Sequence, residues 1–142
     1  MYQKKFRPAA YAILSYQNKM VFGKKTRWPF EWQFCLIWWG IEHGEDHYLT
    51  LQREIAEEVG IKNFEIKELL NVFFHVSKFT YGWIDYDQHA IWIVYLVEAF
   101  EQPMQWSDDC GELIFIDPLE YKNYDLSPMA SKAIKYYLSQ KI

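Results

Sequence analysis

Apolar positions along this chain follow two different periods, and the switch between them locates the elements. Ala9 to Tyr16 and Lys19 to Gly23 read as strands joined by a tight turn at Gln17-Asn18, and Trp32 to Trp38 is a further strand-like run. Tyr48 to Val59 breaks that pattern. Placed on a helix at about 100° per residue, Leu49, Leu51, Ile55, Ala56 and Val59 cover one side. Arg53, Glu54, Glu57 and Glu58 fall within an arc of roughly 140° on the other. Gly60 is a favoured terminator for that helix. Phe64 to Val76 alternates imperfectly, as a long strand would. His89 to Phe100 is rich in β-branched and aromatic residues and predicts a central strand, and Glu112 to Ile116 predicts a short one. Ser127-Pro128 supplies a cap and a first-turn proline for a second helix reaching about Gln140. Strands interleaved with two helices suit an α/β chain with a mixed sheet.

The polar face of the first helix changes the picture, because it is a carboxylate cluster with one cation beside it. Like charges three and four residues apart repel. A hard divalent cation removes that cost, and carboxylate oxygens suit Mg²⁺ or Mn²⁺. Mg²⁺ is usually shared with a phosphorylated substrate rather than caged wholly by protein. A lone Glu-Glu pair would be an ordinary acidic surface, but the spacing here is far more specific than a pair.

From Glu45, through seven intervening residues, to Arg53-Glu54-Ile55-Ala56-Glu57-Glu58-Val59-Gly60-Ile61, the chain resembles the signature of the Nudix hydrolases without a gap. The resemblance implies a single Nudix domain over residues 1–142, folded as an α/β/α sandwich with a mixed β-sheet. It also implies Mg²⁺-dependent hydrolysis of a phosphoanhydride in a nucleoside diphosphate linked to another group. One position departs from the signature: its opening glycine falls on Trp39, so the usual Pro-Gly-Gly is here Ile37-Trp38-Trp39. Glycine is favoured where φ is positive or where backbone approaches a ligand closely. Trp39 therefore requires either a rebuilt loop or weakened metal binding.

The resemblance implies the site residues as well. Glu57 and Glu58 are expected as metal ligands, and Glu54 as a metal ligand or the base. Asp109, in the loop before the last short strand, is expected as a further metal ligand, with Asp108 and Glu112 as alternatives and Glu42 approaching the outer shell around the metal. Arg53 enters the catalytic set by holding neighbouring carboxylates in place, while Glu45 and Gly60 give structural support. Trp39 is the most interesting platform for a substrate base. Trp28, Trp32, Trp38, Phe79 and Trp83 are others, since aromatic faces accept bases without strict reading. His43, His47, His75 and His89 lack metal-ligand spacing and read as satisfied or exposed side chains.

Composition narrows the class further. In 142 residues, long enough for a proper core, apolar residues make up 51% and aromatics 20%, which excludes disorder. Those rings exceed what a small core easily encloses, so some are expected to line a pocket or the seam of a homodimer. A net charge of −4 argues against long nucleic acid as the main partner and leaves a small nucleotide, with Lys4-Lys5 read as a solubility pair. Two cysteines, no leader-like opening and no membrane-length apolar run make the reduced cytoplasm the expected compartment.

Within the family, the short chain leans toward nucleoside triphosphates or related free nucleotides. The proline that marks ADP-ribose members is replaced in Phe74-His75-Val76-Ser77-Lys78. Trp32-Gln33-Phe34 is similar to members that process dinucleoside polyphosphates or capped RNA ends, although the acidic charge weighs against long RNA. The alternative function is a nucleotide-binding or sensing module with weak or no hydrolysis. Trp38-Trp39 supports it, and the intact Glu54, Glu57 and Glu58 count against it.

Overall fold

The computed structural model describes residues 1–24, 33–104, 106–107 (backbone only) and 111–140. Strand β1 (Gln3–Tyr16) turns at Gln17 and Asn18, whose φ values of 49° and 64° are those of a two-residue hairpin turn, into β2 (Lys19–Lys24). The strand-like run before the acidic segment divides into β3 (Phe34–Cys35), paired with β2, and β4 (Ile37–Gly40), paired with β1. Trp32, where that run was expected to begin, lies outside the described residues. The break at Leu36 follows from the change of partner, and Leu36 is buried where the chain crosses over.

After helix α1 (His47–Glu54) come β5 (Phe64–Tyr81) and β6 (Ile84–Ala99), a hairpin longer at its tip than sequence patterning predicts. Gly82, at φ 63°, makes its turn. The extra length is held by cross-strand pairs such as Phe79 with Tyr86, and by Thr80 Oγ1 donating to Asp85 Oδ1 at 2.5 Å. Little of it is buried, so no in-out alternation marks it in the sequence. The two-residue β7 (Trp106–Ser107), β8 (Gly111–Ile116), a 3₁₀ helix (Pro118–Asn123) and α2 (Pro128–Ser139) complete the chain. Ser127 caps α2 by accepting from the Ala130 N–H at 3.2 Å.

The described strands form one curled mixed sheet in the order β5-β6-β1-β2-β8-β7, with β3 on β2 and β4 on β1. Only β1 with β6 runs parallel among these pairs. Each sheet face carries a core. Leu51, Ile55, Val59 and Ile61, from the acidic segment, pack on Ala10, Ala12, Leu14, Trp39, Tyr95 and Val97. On the opposite face Met129, Ala130, Ala133 and Ile134 of α2 pack on Ile13, Phe22, Leu36, Trp92 and Val94. Alternate residues of the central strands serve alternate cores, giving the expected α/β/α layering. Among the described residues no helix is long and apolar enough to cross a membrane.

Candidate active site

The acidic segment is not α-helical throughout. Helix α1 ends at Glu54, and Ile55–Val59 continues as a π-helical turn closed by Gly60 at φ 74°. Hydrophobic periodicity does not register such a widening, which often accompanies functional sites. Gly60 is required by its backbone conformation, and the flexible Met104 side chain stands over it. The φ of Gly60 is left-handed, and a Cβ built there would lie 2.5 Å from Met104 Cγ, where the Met104 N–H donates to the Val59 carbonyl at 3.0 Å. Leu51, Ile55 and Val59 are fully buried as expected and Ala56 is half-buried. Leu49 is corrected, for it is 62% exposed. On a helical wheel it falls about 40° from Arg53, on the polar side.

The start of α1 is fixed by two carboxylates. Asp46 caps it, its Oδ1 accepting from the N–H groups of Tyr48 at 2.9 Å and Leu49 at 3.0 Å. Glu45 turns back over the preceding loop, accepting from the Glu42 N–H at 2.8 Å and from Thr50 Oγ1 at 3.1 Å. The Arg53 guanidinium then ties the cluster together. It lies 3.6 Å from Glu45 Oε2, 3.3 Å from Glu54 Oε1 and 3.3 Å from Glu57 Oε2. Glu54 is the most enclosed of these acids at 18% side-chain exposure, Glu57 is open at 56%, and Glu58 is half-buried. One cation thus gathers three carboxylates that would otherwise repel.

Asp109, expected as a further metal ligand, and Asp108 lie outside the described residues, as do Trp28 and Trp32. Glu112 is exposed on β8 and Glu42 on the loop before α1. Among the described residues no group of three or more His, Cys, Asp or Glu side chains is placed so as to hold a metal ion by itself. The donor set nevertheless fits a hard cation of the Mg²⁺ type, which takes one or two carboxylates and completes its shell with water and substrate phosphates.

Strand β4 settles where the two tryptophans point. Trp39 pairs with Ala10, its φ is not positive, and its ring is 6% exposed in the core beneath α1. An ordinary strand conformation thus accommodates a side chain at the signature's glycine position. A ring closed off in this way offers no face to a base, so the expectation of Trp39 as the stacking platform is corrected. Its Nε1 is buried without a hydrogen-bond partner.

Trp38, one residue earlier, faces the other side of the sheet and lines a cleft of about 810 Å³. This cleft draws on β1, β3, β4, β5, β6 and the start of α2. Tyr11 stacks on Trp38 at 6.0 Å, the Arg7 guanidinium sits 5.0 Å from the Trp38 ring, and His75 stacks on Trp92 at 5.6 Å. Further out Lys5 lies 5.3 Å from the Tyr86 ring, which meets Phe79 at 5.3 Å. Burial above all, then Cys35 beside it, pushes the Tyr11 phenol well above the ordinary tyrosine range, against the pull of Arg7.

Lys5 lines this cleft, which corrects its reading as half of a solubility pair. Sequence reasoning missed Arg7, Tyr11, Tyr86 and Trp92; the only signal was the period-two placing of Lys5, Arg7 and Tyr11 on one face of β1. No Asp or Glu lines the cleft among the described residues. Of the other histidines, His43 is exposed, and His47 and His89 pack locally. His47 Nδ1 meets the Tyr95 hydroxyl at 2.8 Å at the start of α1, and His89 contacts Phe6 and Phe74. Trp83 stands fully exposed at the hairpin tip.

Known structures share this architecture. The MutT Nudix hydrolase of Burkholderia pseudomallei superposes with a TM-score of 0.70 at 21% identity, covering 93% of this chain and 98% of that one. The Nudix domain of Shewanella oneidensis NrtR, solved with ADP-ribose, gives 0.73 at 13% identity over 100% and 91% of the two chains. A Nudix hydrolase of Nitrosomonas europaea gives 0.70 at 17% identity over 99% and 74%. At such identities the likeness is one of fold. The sequence itself matches the family model described as the NUDIX domain across residues 5–137. A match over nearly the whole chain, on the fold those structures share, makes this protein a member of the Nudix family.

Proposed function

We propose that this chain hydrolyses a phosphoanhydride bond in a nucleoside triphosphate or a related free nucleotide, with Mg²⁺, or Mn²⁺ in its place. The observation that carries the reading is the Arg53 cluster, which holds Glu45, Glu54 and Glu57 within 3.6 Å of one guanidinium. Glu57, Glu58 and Glu54 would hold the cation. When bound, the cation supplies neutralisation of the phosphate charge that repels an incoming water.

The chain's own groups divide the remaining work. Glu54, the most enclosed acid of the cluster, accepts the proton of the attacking water. Arg53 keeps the carboxylates from splaying apart, and Glu45 ties the loop before α1 to Thr50 and Arg53. Across the sheet, Trp38 offers the base a stacking surface, with the Arg7 guanidinium beside it. The reading treats residues 1–142 as one catalytic domain. Apolar residues exposed on the α1 side of the sheet, Phe6 of β1 with Val72, Phe74 and Val76 of β5, are its candidate homodimer surface; light scattering at graded concentration checks that part.

The test is phosphate or pyrophosphate release across a panel of nucleotides with Mg²⁺ and then Mn²⁺, run beside Glu57→Gln. Turnover of one class that vanishes in the variant supports the reading and names the substrate. Nucleotide binding with no turnover of any panel member in the unaltered chain would replace it with a sensing role.

A further inference from the structure

The inner end of the cleft is a row of rings with one flexible side chain laid on it. Trp38 of β4 stacks on Tyr11 of β1 at 6.0 Å, Tyr11 meets Trp92 of β6 edge-on at 6.1 Å, and Trp92 stacks on His75 of β5 at 5.6 Å. These rings brace one another across four strands. Arg7 is held differently. It is half-buried, its guanidinium lies over the Trp38 ring at 5.0 Å, and among the described residues it enters no ion pair.

The reach of Arg7 follows from the register of β1. Arg7, Ala9 and Tyr11 alternate onto the cleft face, and Tyr11 is the residue paired with Trp38. The Arg7 side chain therefore runs along its own strand, past Ala9, to arrive at the indole. Ala9, and Ala90 paired with Arg7 on β6, are small and buried, and they form the low trough that the side chain crosses.

A base that stacks on Trp38 has to take the place of this guanidinium. Arg7 then loses its ring contact and stays half-buried without a countercharge. A neutral ligand leaves that loss uncompensated. A ligand with a negative group beside its base compensates it, because the freed guanidinium can turn to that group with two parallel N–H donors. One side chain thus obstructs a neutral base and secures a charged one.

We propose that Arg7 is a specificity-determining gate of the inner cleft: parked on Trp38, it competes with the incoming base and yields to ligands that carry an anion next to that base. The inference rests on the nucleotide reading given above, and it assigns to Arg7 the discrimination of nucleotides from neutral nucleosides. Lys5 is the built-in control. It lies on the same face of β1, over Tyr86 at 5.3 Å, and is not on the Trp38 ring.

Titration calorimetry in EDTA, so that no ligand is consumed, compares adenosine with ATP. Arg7→Gln should bind adenosine about threefold more tightly, the scale of one cation–π contact removed from competition. The same variant should bind ATP about tenfold more weakly, the scale of a lost charge-assisted hydrogen bond. Lys5→Gln should leave adenosine unchanged. Unchanged or weaker adenosine binding in Arg7→Gln, or equal tightening in Lys5→Gln, overturns the gate. A second readout uses the unaltered chain. It has three arginines, and the Arg7 side-chain N–H resonance, shifted by the Trp38 ring, should move towards its ordinary position as ATP binds. A resonance that stays ring-shifted with ATP bound also overturns the gate. Failure of ATP to bind the unaltered chain overturns instead the nucleotide reading of the cleft itself.

Discussion

On the α1 face of the sheet, the functional groups come from a short run of chain, Glu45 to Glu58, and are held by charge: one arginine, three acids and two hydrogen-bonded caps. On the α2 face, the cleft takes its residues from six elements and holds them by aromatic contact, with no acid among the described lining. The first arrangement is local and dense in titratable groups; the second is distributed and dense in rings. Chemistry that needs fixed charge in a fixed place is well served by one rigid helix. Recognition of a flat, apolar base is better served by several strands converging.

Four experiments break or sharpen that contrast. The largest effect should come from Glu57→Gln, which keeps size and removes the charge. Turnover is expected to fall on the order of 10³-fold, with a thermal midpoint close to that of the unaltered chain, since an exposed pair contributes little stability. Retained turnover would remove the carboxylate cluster from the chemistry.

The two neighbouring tryptophans come next. Trp39→Ala empties the core beneath α1 and should cost about 3 kcal/mol or more in chemical denaturation. Trp38→Ala, which removes a half-buried ring stacked on Tyr11, should cost only about 1 kcal/mol and weaken nucleotide binding about tenfold. Similar stability losses in both would show that the two faces are not separable in this way. Gly60→Ala lies between these in size. A left-handed φ combined with the Met104 clash predicts a loss of about 2 kcal/mol.

The smallest effect concerns pH. Burial raises the Tyr11 phenol, and burial together with Asp46 and Tyr48 raises that of Tyr95. Both therefore favour the neutral form in the folded chain. Their stabilisation is complete below the unfolded value of about 10 and is lost as pH rises above it. A spectrophotometric alkaline titration should show these two phenols ionising late. Their ionisation below pH 10 would contradict their enclosure.

The same contrast explains what could be read from sequence. Glu45, Arg53, Glu54, Glu57 and Glu58 were legible because their spacing on one helix is itself the signal, as was Gly60 as the terminator. The hairpin turn at Gln17-Asn18 and the Ser127-Pro128 cap were legible for the same reason, being local. The π-helical turn was not, because a widened turn leaves the order of residues unchanged. Leu49 was misplaced because residue type was allowed to outweigh its wheel angle. The cleft was illegible because Arg7, Tyr11, Trp38, Tyr86 and Trp92 meet only through strand pairing between β1, β4 and β6. Trp39 drew notice as a departure from the family pattern, yet only the direction of β4 tells which of two adjacent rings faces solvent.

Strand β4 is four residues long and is shared by both faces, with Ile37 and Trp39 on one side and Trp38 on the other. A slip of one residue would exchange the two indoles, driving the cleft ring into the core and the core ring into the cleft. Such a strand behaves as a keyed part: it fits in one register or not at all. A ligand resting on Trp38 therefore meets a surface that cannot yield by sliding.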